Sequence, residues 1–376
     1  MGVSPSGSCL ASVSAWRAPK ALCPKASRRR LGRESEWRLG TLGGTERPRS
    51  MSRRERVYAA LRGEPVDRVP VSFWGHHYTA ENSARSLAEA TLRRANEFGW
   101  DYLKPQSRAQ CFAEMWGLTY EPSVDPFTKY TTTRHPLSGE ADLQRLQPTD
   151  PRTGALGEQL ETLELVRAGA GPDTPIVWTV FSPLMVLEYL LADGRAQVLE
   201  VVRSNPDAVT RALDAIAETL AGYARACLEH GADGLFLATN LADEGGLDAQ
   251  ECRRFQRPFD LRVLAAAEGA RFNIMHVCGA GARLEEFVDY PVAAFSWSVE
   301  PGNPGLREVH DRTGRAVVGG LPKALETLTV AQVEGLARAA IQEMDSRWLL
   351  LAPGCSIPPA TPDAVLRAAR RAVDTL

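Results

Sequence analysis

The chain has 376 residues, 44 Lys+Arg against 46 Asp+Glu, and 44% hydrophobic residues. That balance excludes a chain too polar to bury a core and a nucleic-acid binder that works by bulk positive charge. The uncharged runs 174–187 and 348–362 are broken by prolines and shorter than the roughly 20 apolar residues a membrane span needs.

Charge is uneven. Residues 1–50 carry ten basic and three acidic residues, are rich in Ser, Gly and Pro, and lack sustained helical or strand periodicity. This segment is expected to be a basic, disordered extension, and it lacks the charged start and apolar core of a secretory signal. Met51-Ser52-Arg53-Arg54 reads as the start of the folded part, a single domain over 51–376. Seven cysteines, odd in number and scattered, do not form a disulfide framework. A reducing cytoplasmic setting is expected, with thiols free to act as ligands or nucleophiles.

From there strands and helices alternate. The first strand is expected at 68–74, followed by a helix over 84–98 that Gly99 caps. The second strand is 101–104. A long mixed insertion follows, from about 107 to 173, with one helix at 154–168. Insertions of that length on a compact scaffold usually cover or line a site. Further strands are expected at 175–181, 233–239, 271–276, 292–297, 316–319 and 348–352. Helical segments at 183–192, 195–203, 205–230, 248–269, 281–289, 303–313, 330–345 and 362–375 separate or follow them. Eight strand–helix repeats predict an α/β fold, a (β/α)8 TIM barrel. The turn after the first strand reads Trp74-Gly75-His76-His77-Tyr78, not the glycine-rich phosphate turn of an open dinucleotide-binding sheet.

A barrel's active site lies where its strands end. After the fifth strand comes His276-Val277-Cys278-Gly279; after the eighth comes Pro353-Gly354-Cys355-Ser356. One imidazole and two thiols are thus brought to one face. Zn2+ takes N and S ligands, and a catalytic site keeps three protein ligands and one open position. His276, Cys278 and Cys355 are the candidate metal ligands; a buried core role for each is the plainer alternative. His76, His77 and Tyr78 follow the first strand and are candidates to bind or protonate a ligand. Asn240, with Asp243 and Glu244, follows the fourth strand. Trp297, among Ser296, Ser298 and Glu300, either walls the pocket or packs in the core. Asn240 and Trp297 are the candidate cofactor contacts. Gly319-Gly320-Leu321-Pro322-Lys323 reads equally as an anion loop or a tight turn, and Arg253, Arg254 and Arg257 as a solvated helix face.

These residues resemble the uroporphyrinogen decarboxylase superfamily. The stretch HVCG at 276–279, with APGCSIPPATP at 352–362, is similar to the zinc motif of its cobamide:coenzyme M methyltransferase branch. RVYAALRGEPVDRVPV at 56–71, FGWDYLK at 98–104, FSPLMVLEYL at 181–190 and GADGLFLATN at 231–240 extend the resemblance over nearly the whole body. It implies a TIM barrel with a deep pocket. It also implies zinc-dependent methyl transfer from a corrinoid, carried on a partner protein or bound as substrate, to a small-molecule thiol. The alternatives are decarboxylation of a porphyrinogen or other carboxylated substrate, and a barrel that binds a corrinoid or tetrapyrrole without turnover. Decarboxylases of the superfamily carry arginines after the first strand to grip carboxylates; residues 73–78 contain none.

Overall fold

The computed structural model describes residues 50–374; the basic extension expected over 1–50 lies outside them but for Ser50. Six parallel strands pair in chain order: β3 (Val177–Phe181), β4 (Gly234–Thr239), β5 (Ile274–Val277), β6 (Ala294–Trp297), β7 (Ala316–Leu321) and β8 (Leu349–Pro353). A two-stranded antiparallel hairpin, β1 (Thr119–Glu121) and β2 (Thr131–Arg134), stands apart from them. The six strands are near-continuous apolar runs, almost every residue buried, as expected of parallel strands covered on both faces.

The first two expected strands take part in the sheet as single bridges. Leu351 donates its N–H to Pro70 O and Ser72 donates to Leu351 O; Asp101 donates to Val71 O; Leu103 donates to Pro175 O and accepts from Val177. Val71 thus pairs with β8, and Leu103 with Ile176 just before β3, so hydrogen bonds run round the whole TIM barrel. Pro70 and Pro175 have no N–H to give, which keeps these ladders short.

The helices pack outside. Pro206–Glu229 is capped by the Asn205 side chain, which accepts from Ala208 N, and starts on Pro206, whose fixed φ suits the first helical position. Its buried face is built largely of alanines, with Leu, Ile and Val between them, so it sits close against the barrel. The helix expected over 248–269 is instead three pieces: a turn at Ala249–Glu251, a π-helical turn at Cys252–Gln256, and a helix at Arg257–Ala265. Pro258 cannot donate to the preceding turn, and the ladder widens there. Of the segment expected at 281–289 only a short 3-10 turn, Leu284–Glu286, forms.

The RVYAALRGEPVDRVPV stretch finds its use where the strands begin. Arg56 and Arg68 both bond the buried carboxylate of Asp101, at 2.7 and 2.5 Å, and Arg56 also pairs with Asp67. Asp101 further accepts from Val71 N. Asp233, preceding β4, takes Arg54 and Arg167 in the same way. These ion pairs tie the entry helix Arg53–Leu61 and helix Gly154–Ala170 to the barrel floor, the face that serves stability.

Candidate metal centre

His276 lies within β5, paired in register with Ala238 on β4 and Ser296 on β6. Its ring is buried, stacks on Phe236 at 5.0 Å, and its Nδ1 meets Ser296 Oγ at 3.1 Å. That contact leaves Nε2 as the nitrogen free for a ligand. Two residues on, the chain turns. Cys278 donates its N–H to Thr239 O, and Gly279 adopts φ +109°, a left-handed conformation that glycine takes without strain. A side chain at 279 would collide with Asp243, since an added Cβ would lie 2.4 Å from its Oδ2. Asn303 secures the turn: its amide donates to Gly279 O and Ser298 O, and its Oδ1 accepts from Ala282 N.

Cys355 comes from the other side of the ring. After β8, Gly354 packs so close to Ser298 that an added Cβ would lie 2.5 Å from its Cα. Gly354 donates to Leu321 O, and Ile357 pairs with Gly75 and donates to Trp74 O. Held at both ends, Cys355 Sγ lies 3.9 Å from Cys278 Sγ. The ligand atoms of His276, Cys278 and Cys355 are all within 4.8 Å of one another, the one such cluster found among the described residues. One imidazole nitrogen from β5 and two thiols from the turns that follow β5 and β8, at that spacing, fit a single tetrahedral ion with one position left open.

The thiols do not ionise alike. The hydrogen bond from Cys278 and the neighbouring His276 pull the Cys355 thiol well below its ordinary value, against the effect of burial. Cys278, sharing its proton with Cys355 and buried, is pushed up. A cation between the sulfurs would take the place of the hydrogen bond that joins them.

Beside the triad is a cavity of about 220 Å³, walled by Trp74, His76, His77, Lys104, Gln106 and Phe127 among others. A polar chain runs along it. Lys104 Nζ donates to Gln106 Oε1 at 2.5 Å, Gln106 Nε2 lies 3.2 Å from His76 Nε2, and His76 Nδ1 is 2.9 Å from Glu81 Oε1. The buried Glu81 also accepts from His77 N. Lys104 is buried, its ammonium 4.8 Å from the Phe236 ring centre and 5.5 Å from that of Trp74; burial pushes its pKa down to about 7. Phe236 therefore contacts Lys104 and His276 alike.

Of the expected residues, His76 and His77 line this cavity, while Tyr78 stacks on His76 at 4.9 Å and its carbonyl accepts from Tyr130 OH. Asn240 sits at the end of β4 with its carbonyl bonded by Arg195 and its buried Oδ1 unpartnered. Trp297 takes the second of its two expected roles: it is fully enclosed, its indole N–H donates to Pro304 O, and it is not among the residues lining this cavity. Lys104, Gln106, Glu81, Asn303 and Phe236 were not foreseen.

A family profile for uroporphyrinogen decarboxylase (URO-D) matches residues 52–376. The chain belongs to this family. Among its relatives, methylcobamide:CoM methyltransferase MtbA of Methanosarcina acetivorans is 23% identical over 335 residues, covering 84% of this chain and 95% of that one. The corresponding MtaA of Methanosarcina barkeri is 24% identical, covering 82% and 93%. A uroporphyrinogen decarboxylase of Edwardsiella ictaluri is 24% identical over 269 residues, covering 62% and 72%. The solved structure of a methyltransferase from Methanosarcina mazei superposes with a TM-score of 0.73 at 21% identity, covering 86% and 99%, which establishes the barrel.

Proposed function

We propose that the protein is a zinc-dependent methyltransferase that moves a methyl group from a corrinoid to a small thiol. The observation that carries this reading is the convergence of His276, Cys278 and Cys355, whose ligand atoms all lie within 4.8 Å of one another. The methyltransferase relatives, which match along nearly their full length, support it. Zinc held there would lower the pKa of a thiol bound in its open position, turning it into the thiolate that methyl transfer requires.

The chain's own residues prepare the site. Ser296 fixes the tautomer and tilt of His276, and Phe236 keeps its face dry. Asn303 and the two close glycine contacts hold the Cys278 and Cys355 loops at separations a ligand set needs. His76 and His77, backed by Glu81, border the space an acceptor would occupy, and Asn240 is a candidate contact for the corrinoid. The corrinoid would arrive on a partner protein docking over the barrel mouth. Cys111, Cys227, Cys252, Cys278 and Cys355 are all unpaired, which suits a reducing cytoplasmic setting. No helix among the described residues is long and apolar enough to cross a membrane.

Decarboxylation of a porphyrinogen has weaker support, since residues 73–78 supply no arginine for a ring of carboxylates. The test is incubation of zinc-loaded protein with methylcobalamin and 2-mercaptoethanesulfonate, followed by the loss of the methylcobalamin spectrum and appearance of the thioether. Turnover that disappears in Cys355→Ala supports methyl transfer. Release of CO2 from uroporphyrinogen without any thioether would overturn it.

A further inference from the structure

Away from the metal centre, the floor of the barrel holds a groove of about 680 Å³. It is lined by residues that precede four successive strands: Arg271 before β5, Val292 before β6, Arg315 before β7 and Trp348 before β8, with Tyr58 of the entry helix beside them. The Cys278 and Cys355 turns lie at the opposite ends of these strands, so the groove is no part of the site described above. Its size is within the roughly 300–1,000 Å³ of small-molecule pockets.

Charge in the groove is unbalanced. Elsewhere on the floor, Arg54, Arg56, Arg68 and Arg167 each pair with a carboxylate. Arg271 and Arg315 are exposed, and their guanidinium groups have no hydrogen-bond or ionic partner among the described residues. A third arginine of the groove, Arg62, is held by Glu64. No Asp or Glu is among the lining residues. Two guanidinium forks left open at neighbouring strand starts match the oxygens of a phosphate chain.

The aromatic part sits on a strained backbone. Among the described residues, Asp345, Ser346 and Trp348 are the non-glycine residues with positive φ, at +50°, +58° and +57°. A bulky side chain rarely takes that conformation. The Trp348 carbonyl already belongs to the sheet, where it accepts from Val317 N, while its indole lines the groove. The indole covers Gly63, where an added Cβ would lie 2.0 Å from Cε2, and meets the His310 ring at 5.0 Å. Backbone strain of this kind collects at ligand sites. Together with Tyr58, Trp348 gives the groove an aromatic wall of the sort on which nucleobases pack. We propose that this groove binds a nucleotide, with its phosphates on Arg271 and Arg315 and its base against Trp348 and Tyr58. The site is independent of the reaction at the metal centre.

The experiment is isothermal titration of the full-length protein with ATP and with GTP in excess Mg2+, beside pyrophosphate and adenosine. Wild type is expected to bind at least one nucleotide in the micromolar range, and each fragment about tenfold more weakly or worse, because each meets only one half of the lining. Arg271→Ala combined with Arg315→Ala is expected to weaken the nucleotide about tenfold or more, the usual worth of charge-assisted bonds, with unchanged far-UV circular dichroism. Arg85→Ala combined with Arg93→Ala, two equally exposed arginines on the helix Ala84–Phe98, is expected to leave the affinity within about twofold. Pyrophosphate that binds as tightly as either nucleotide would reduce the groove to an anion patch and overturn the proposal. So would the absence of nucleotide binding at millimolar concentrations, equal affinity in wild type and the folded Arg271/Arg315 variant, or equal weakening by the two pairs of substitutions.

Discussion

Replacing Lys104 with Met should stabilise the fold, and the burial of its ammonium sets the size and pH window of the gain. An ordinary lysine titrates near 10.5, and burial lowers Lys104 to about 7. At about 1.4 kcal/mol per pKa unit, holding the ammonium in this place costs on the order of 4–5 kcal/mol below pH 7. Part of this cost is offset in the variant, because two ring contacts worth about 0.5–1 kcal/mol each and a hydrogen bond worth about 1 kcal/mol are lost with the ammonium. A net gain of roughly 1–3 kcal/mol at pH 6 remains. The sign with pH follows from the depressed value. Between about 7 and 10.5 the unfolded chain holds a proton the native protein lacks, so wild-type stability rises through this window and the advantage of the variant shrinks. Urea midpoints of metal-free wild type and variant at pH 6, 7, 8 and 9 measure it. A variant less stable than wild type by the same amount at every pH would refute the argument, because it would mean that Lys104 carries no desolvation penalty.

Three further outcomes follow from particular contacts. Gly279→Ala puts a Cβ into Asp243 at a residue with φ +109°; it should cost about 1–3 kcal/mol and weaken zinc retention, read from an unfolding curve and metal content. Asp260 is fully buried, and burial raises its carboxyl from 3.8 to about 7. Its contribution is complete below about pH 3.8 and is lost as pH rises to about 7, so Asp260→Asn should gain on wild type by a few kcal/mol across this window, measured by urea unfolding between pH 4 and 8. Asp101→Asn removes the carboxylate that Arg56 and Arg68 share and leaves Arg56 with Asp67 alone; a loss of about 3 kcal/mol is expected, the low end for a broken buried pair, and an unchanged midpoint would show the floor network to be dispensable.

The barrel was legible because parallel strands buried on both faces leave long apolar runs, and β3 to β8 each fall within or overlap the expected segment. What sequence pattern did not reveal has physical causes. The hairpin β1–β2 is three and four residues long and mostly exposed, so it has no apolar alternation to read. The π-helical turn depends on one missing N–H at Pro258, invisible to a pattern of apolar spacing. His276, Cys278 and Cys355 could be paired in advance since barrel topology alone brings strand ends together. Lys104 could not, because a lysine is expected at the surface, and only the fold reveals that its neighbours are two aromatic faces and an amide. RVYAALRGEPVDRVPV, the most distinctive stretch near the start of the body, turned out to tie the barrel floor through Arg56, Asp67 and Arg68 rather than to serve the site.

The central claim is that one ion joins His276, Cys278 and Cys355. Zinc content of the full-length protein, combined with X-ray absorption at the zinc edge, tests it directly. The account predicts one zinc per chain, with one nitrogen and two sulfurs from the protein at about 2.0 and 2.3 Å. It also predicts loss of the metal in Cys278→Ala and Cys355→Ala and an added sulfur when a thiol is supplied. Protein that binds no zinc after supplementation, or zinc that persists with unchanged sulfur coordination in both cysteine variants, would contradict it.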